Sequence, residues 1–286
     1  MEEYTLREMM TIVAAREIRN GDIVFGGTGI SLLAAMAAKN INAPESVMFF
    51  ETGAIDSRLD EIPLAVADSR VMYLAATNSG LFDAFTTMQN PITGKHVIGI
   101  LGAAQIDLYG NINTTVIGNY IKPKTRFSGS GGGCDVASFV PRCIIFMQQE
   151  KKRFVNKLDY LTSPGHINGS NGRKKAGLRE GGPTVVITNM AVFRFDEITR
   201  QMYLAGCYPG ITAEQVLENM EFSVDVSRAV ETLPPTAEEL KILRDKCDPQ
   251  RLILYTKGLL ILGSNGSGKS TLGRTIQSDC NMFGEN

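Results

Sequence analysis

Apolar side chains recur at helical spacing through residues 5–19. Leu6, Met9, Met10, Ile12, Val13, Ala14 and Ile18 form one face, with a wet face opposite. Asn20-Gly21-Asp22 ends that pattern, and Ile23-Val24-Phe25 reads as a short buried strand. Gly26-Gly27-Thr28-Gly29 then opens a second helix over 30–38, rich in alanine and leucine. Val47-Met48-Phe49-Phe50 is a further apolar run of strand length. Residues 71–75 and 97–101 read as strands on either side of a helix over 81–88, and 143–147 is another core strand. Residues 185–188 and 192–195 continue the sheet, and a turn over 196–201 leads into 202–205 as an antiparallel hairpin. Capping boxes at Thr212-Ala213-Glu214-Gln215 and Thr236-Ala237-Glu238-Glu239 start the last two helices. Strands alternating with helices predict an α/β fold, a mainly parallel open sheet with helices on both faces plus the hairpin.

With 286 residues the chain is long enough for one large α/β domain or two small ones. No repeat or linker divides the first 257 residues, so we expect one domain over 1–257 and a tail over 258–286. Basic and acidic side chains number 29 and 30, a balance that argues against a nucleic-acid partner. The five cysteines are scattered with no C-x-x-C pair, and there are two histidines, so neither a metal site nor a disulfide framework is predicted. No stretch approaches a membrane span and no apolar leader opens the chain, which places the protein in the cytoplasm by expectation.

The stretch with the clearest chemistry is Ser46-Val47-Met48-Phe49-Phe50-Glu51-Thr52-Gly53-Ala54. A carboxylate follows a buried strand at once, and a glycine then lets the chain turn sharply. Such a carboxylate faces a crevice, because a dry, unpaired charge costs several kcal/mol. In open α/β sheets that crevice is where ligands bind. Taken alone, a glutamate after a strand is more often a helix cap or an ion-pair partner than a catalytic group. Three further glycine- or asparagine-rich segments accompany it: Gly26 to Gly29, Ala104-Gln105-Ile106-Asp107-Leu108-Tyr109-Gly110-Asn111-Ile112-Asn113-Thr114-Thr115, and Ser128-Gly129-Ser130-Gly131-Gly132-Gly133.

Together with Pro123-Lys124-Thr125-Arg126-Phe127 and Tyr160-Leu161-Thr162-Ser163-Pro164-Gly165, these motifs resemble the B subunits of family I CoA-transferases, those acting on glutaconate above all. The resemblance runs from about Leu6 to about Tyr255. It implies that Glu51 is the nucleophile that carries CoA between carboxylic acids, through a glutamyl anhydride and a glutamyl-CoA thioester. It also implies that Gly131, Gly132, Asn113 and Gly29 border the CoA thioester. Coenzyme A would enter as acyl-CoA substrate, with no permanently bound cofactor. The partner would be the A subunit of the CoA-transferase, in an α2β2 hetero-oligomer. A CoA-thioester hydrolase or ring-opening enzyme on the same scaffold is the runner-up.

The residues themselves suit this chemistry. A carboxylate is a weak nucleophile toward thioesters, so the oxyanion needs preorganised donors, each worth roughly 3–4 kcal/mol. Gly131, Gly132 and Gly133 can present bare N–H groups, and Asn113 can add an amide. Asn111 and Asn113 would equally build a tight turn with Gly110. The run Lys151-Lys152-Arg153 reads as a solvated face, and His96 and His166 receive no role.

The tail departs from this pattern. Leu259 to Leu262 followed by Gly263-Ser264-Asn265-Gly266-Ser267-Gly268-Lys269-Ser270 matches a phosphate-cradling P-loop, in which Gly263, Gly268, Lys269 and Ser270 would bind nucleotide. Only sixteen residues follow Ser270, too few for the acidic metal ligand and the sheet that such a site needs. The motif therefore reads as a fused or frameshifted segment or an accessory anion site; a nucleotide-binding regulatory protein is the alternative from a different class.

Overall fold

The computed structural model describes residues 3–255. Helix α1 (Leu6–Glu17) starts at a capping box in which Thr5 and Glu8 exchange hydrogen bonds. Strand β1 (Ile23–Gly26), helix α2 (Ile30–Ile41) and strand β2 (Val47–Phe50) follow, then the short strands β3 (Ala54–Ile55) and β4 (Thr77–Asn78). Helix α3 (Leu81–Gln89) leads to β5 (Val97–Gly102). Two small ribbons come next, β6 (Gln105–Ile106) with β7 (Ile112–Asn113) and β8 (Val116–Gly118) with β9 (Pro123–Arg126). Helix α4 (Gly133–Phe139), β10 (Arg142–Phe146), the single turn α5 (Gly172–Lys175) and β11 (Pro183–Ile187) continue the chain. It closes with β12 (Ala191–Phe195), β13 (Met202–Cys207), α6 (Ala213–Glu218), β14 (Val230–Glu231) and α7 (Ala237–Ile242).

The main sheet has ten strands in the order β14-β13-β12-β11-β10-β5-β1-β2-β3-β4. Its five central strands, β11 to β2 in that order, are parallel, and β12–β13 is the expected antiparallel hairpin. Helices α1 and α2 cover one face through Met9, Ile12, Leu32 and Leu33, and α7 and the turn after it at Leu243 pack on α2. Residues Ala84 and Met88 of α3, Val136 and Ala137 of α4 and Val216 of α6 fill the other. With both faces covered, the central strands read as continuous apolar runs, which is why they stand out in the sequence. No helix among the described residues is long and apolar enough to cross a membrane.

Glu8 of α1 is fully buried, and Arg244 reaches it from the far end of the described chain at 2.7 Å. Burial would raise that carboxyl, but the hydrogen bonds from Arg244 and Thr5 hold it below the ordinary glutamate value. The strand expected over 71–75 is instead one turn of 3-10 helix at Ser69–Met72 followed by an exposed turn. Asp68 caps that turn by accepting from the Arg70 N–H and also takes the Arg70 guanidinium. Only Val71 points inward, while Met72, Tyr73 and Leu74 face outward, so an apolar run that looks like a strand never joins the sheet.

Candidate active site

The carboxyl ends of the parallel strands lie at one end of the sheet, and β2 delivers Glu51 there. The chain turns immediately: the Gly53 N–H donates to the Phe50 carbonyl at 2.9 Å, and Gly53 takes φ 95°, a left-handed value that favours glycine. Glu51 is half-buried, and among the described residues it makes neither a hydrogen bond nor an ion pair. It is therefore neither a cap nor a salt-bridge partner. Burial alone pushes its carboxyl above the ordinary glutamate value. A half-buried carboxyl left without donors differs from a structural anion, which is paired. The hydroxyl of its neighbour Thr52 is also buried without a partner among the described residues.

The glycine turn before α4 closes over this carboxylate. A β-carbon placed on Gly132 would lie 3.5 Å from Oε2 of Glu51 and 2.7 Å from Cζ of Phe85. Phe85, on α3, leans on Phe25 with ring centres 5.9 Å apart, and Phe25 meets Phe49 edge to face at 5.2 Å. The three rings belong to the apolar layer from which Phe85 reaches Gly132. Gly131 adopts φ 48°, and the N–H groups of Gly131 and Gly132 have no partner among the described residues. Gly133 does not join them, contrary to the expectation from sequence: its N–H is spent on the Ser130 carbonyl at 2.8 Å, where α4 begins.

Asn113 also departs from expectation. It is fully buried, and its amide donates to Oε1 of Gln105 at 2.7 Å and to the Val116 carbonyl at 2.6 Å. Its oxygen accepts from the N–H groups of Thr115 and Val116. Both amide hydrogens are thus consumed in shaping the loop, and none is left for an oxyanion. Asn111 does similar work, bonding Asp107 and the Ile167 carbonyl while accepting from Gly165. Gly29 is buried at the start of α2 with φ 68°, one strand away from Glu51 at the same end of the sheet, since Gly26 pairs with Phe50.

Lys152 and Arg153 both pair with Glu150, consistent with a solvated face. His166 is buried against the Pro183 carbonyl, and burial lowers its pKa to about 4, so it stays neutral. Nothing in the sequence points to Phe85, which reaches the site only through the packing of α3 on α4. Gly263, Gly268, Lys269 and Ser270, and the tail that carries them, lie outside the described residues.

Residues 7–219 match the sequence pattern of the family described as coenzyme A transferase. The B subunit of glutaconate CoA-transferase from Acidaminococcus fermentans is 43% identical over 249 residues, which cover 86% of this chain and 93% of that one. The B subunit of 3-oxoadipate CoA-transferase from Pseudomonas knackmussii is 37% identical over 245 residues, 85% of this chain and 94% of that one. The crystal structure of glutaconate coenzyme A-transferase from Acidaminococcus fermentans superposes with a TM-score of 0.86 at 41% identity, covering 89% of this chain and 99% of that chain. The chain belongs to the coenzyme A transferase family.

Proposed function

We propose that this chain is the glutamate-bearing subunit of a two-subunit enzyme that moves CoA between small carboxylic acids, dicarboxylates of the glutaconate kind among them. The observation that carries the reading is Glu51 itself, half-buried, unpaired and set against Gly132. In this mechanism a Glu51 oxygen attacks the thioester carbonyl, the C–S bond breaks, and CoA leaves as thiolate from a mixed anhydride. The thiolate then attacks the glutamyl carbonyl and expels the first acid, leaving CoA on Glu51 as a thioester. The acceptor acid reverses the sequence, and Glu51 returns as a carboxylate. Gly131 and Gly132 N–H groups are the oxyanion donors in this scheme, since their hydrogens are unspent.

CoA enters as substrate and no resident cofactor takes part. The A subunit completes the acid and CoA sites in an α2β2 assembly in the cytoplasm. Residues 1–257 form the transferase body, and the tail from 258 is dispensable to it. Incubating the assembled enzyme with acyl-CoA and then borohydride should reduce the Glu51 thioester to an alcohol, with the mass change on the peptide containing Glu51. Glu51→Gln should abolish both the label and transfer. Glu51→Asp, which retracts the carboxylate by around 1 Å, should lose roughly 100-fold or more in transfer, with hydrolysis assayed alongside. An active enzyme whose Glu51 peptide never changes mass would overturn the mechanism.

A further inference from the structure

The Glu51 site accounts for the carboxyl group that reacts and leaves the far end of the acid without a seat. We infer that the first turn of α2 holds a second carboxylate there, with the Thr28 and Ser31 hydroxyls among its donors. These two residues thereby select dicarboxylic over monocarboxylic acids; the inference rests on the transferase reading above.

The chain leaves β1 and β5 in opposite directions. Strand β1 passes through α2 to β2 on one side, while β5 is followed by α4 and β10 on the other. Helix α2 packs in one apolar layer and α4 in the other, so the two lie on opposite faces of the sheet. Where neighbouring parallel strands part in this way, a crevice opens at their carboxyl ends. The turn at Gly131 and Gly132, which precedes α4, borders it from one face, and the loop from Gly27 to Gly29, which precedes α2, borders it from the other. Gly26 pairs with Phe50, so this loop leaves β1 about 5 Å from where β2 delivers Glu51.

The loop is built to receive an anion. Gly29, the cap of α2, takes φ 68°, no side chain caps the helix, and its first turn carries no acidic residue. The N–H groups of Gly29, Ile30 and Ser31 meet no acceptor among the described residues. Free donors at the positive end of a twelve-residue helix favour a negative charge.

Two hydroxyls point to a ligand independently of the backbone. Thr28 and Ser31 are each 5% exposed, and neither hydroxyl makes a hydrogen bond among the described residues. The Ser31 side chain turns toward the loop: its Cβ and Oγ lie 3.6 and 4.0 Å from where a Gly27 β-carbon would sit. Buried hydroxyls are normally hydrogen-bonded, and a ligand beside the nucleophile supplies the missing acceptor. Lys39, the basic residue of α2, lies in its last turn and is held by Asp56 and the Ser46 carbonyl. The donors at the first turn are therefore neutral, and they suit a carboxylate whose other end reacts at Glu51. The phosphates of CoA do not fit, because the pantetheine arm holds them much farther from the sulfur than β1 stands from β2.

The test uses the assembled two-subunit enzyme with acetyl-CoA as donor and acceptors in pairs of equal length, glutaconate against pent-2-enoate and adipate against hexanoate. Rates are normalised to the Glu51 that borohydride traps after acetyl-CoA alone, which counts correctly folded sites. The unmodified enzyme should favour the better diacid over its monoacid by about tenfold or more. In Thr28→Val and in Ser31→Ala that preference should fall about tenfold, with the loss in KM for the diacid. Thr28→Ser, which keeps the hydroxyl, should retain the preference. Equal losses on diacid and monoacid overturn the inference, because a merely structural role moves both. So does an unmodified enzyme that takes the monoacid as readily as the diacid. Absence of a trapped Glu51 with acetyl-CoA and with the diacid's own CoA ester alike overturns the transferase reading itself.

Discussion

Ser79 grips Gly53 twice, its N–H at 2.8 Å and its hydroxyl at 3.1 Å both donating to the Gly53 carbonyl. The exit of β4 thereby fixes the turn that carries Glu51. A side chain at position 53 would need φ 95° and would put its β-carbon 1.9 Å from the Ser79 carbonyl oxygen. Gly53→Ala should therefore cost more than about 1 kcal/mol of stability. Displacement of Glu51 by around 1 Å should also lower kcat by roughly 100-fold. Denaturant unfolding and steady-state kinetics check the two effects, and a change in KM alone would contradict the second.

Gly132→Val should reduce kcat by roughly 100-fold while raising KM far less, because its branched side chain intrudes on both Glu51 and the N–H donors. In Gly132→Ala the serious clash is with the edge of the Phe85 ring at 2.7 Å, since the approach to Glu51 is ordinary contact. Adding Phe85→Leu to Gly132→Ala should accordingly restore part of the lost turnover. A double-mutant cycle measures this, and strictly additive losses would show that the two residues do not share the site.

Burial raises the Glu51 carboxyl above its unfolded value, so the folded state binds that proton more tightly. The stabilisation that protonated Glu51 confers is present below the unfolded pKa and is lost as pH rises through the folded one. At neutral pH the unpaired charge is a burden on the fold, and Glu51→Gln should melt at a higher temperature than the unmodified protein at pH 7–8. The advantage should narrow as pH falls toward 4. Melting curves across that range decide it; an advantage that grows on acidification would mean the carboxylate is stabilised in the fold.

Asn113→Ala should act on stability instead of chemistry. It strips the Gln105 oxygen and the Thr115 and Val116 N–H groups of a buried partner, a loss of about 2–3 kcal/mol. Turnover per borohydride-trappable Glu51 should stay within a few-fold. A large fall in that normalised rate with an unchanged unfolding midpoint would return Asn113 to the role of oxyanion donor.

Deleting 258–286 should leave transfer with the partner subunit within a few-fold of the full chain. The described body ends on its own latch: Asp248 accepts from the N–H groups of Leu252, Ile253 and Leu254, and Arg7 donates to the Ile253 carbonyl. The full chain should show no magnesium-dependent ATP hydrolysis. ATP turnover that disappears in Lys269→Ala, or transfer lost on truncation, would assign the tail a function.

Glu51 was legible because a strand of four apolar residues ends at a charge and a glycine, a local pattern that needs no tertiary knowledge. The central parallel strands were legible for a related reason, since burial on both faces writes itself as unbroken hydrophobicity. Strands β3, β4 and β6 to β9 were not, because two to four residues held by neighbouring loops carry no periodicity. Val71 to Leu74 misled in the opposite direction: only Val71 is buried, and Met72, Tyr73 and Leu74 sit exposed on a turn fixed by Asp68 and Arg70. For Asn113, residue type could not separate a donor to ligand from a donor to the Val116 carbonyl. The meeting of Glu51 with Gly132 and Phe85 joins three separate stretches of chain and exists only once α3 and α4 pack.

The ion pair between Glu8 and Arg244 makes the burial of helix α1 depend on a segment 236 residues away in the chain. The groups that neutralise its acid and bind its arginines come from residues 239–253. Arg244 reaches Glu8, Glu239 receives Arg16 at 2.6 Å, and the Ile253 carbonyl receives Arg7. Until that segment is in place, Glu8 lacks the cation that offsets its burial and must remain hydrated. Helix α1 is thus fully locked only by a contact of very long range, however early its apolar face packs on α2.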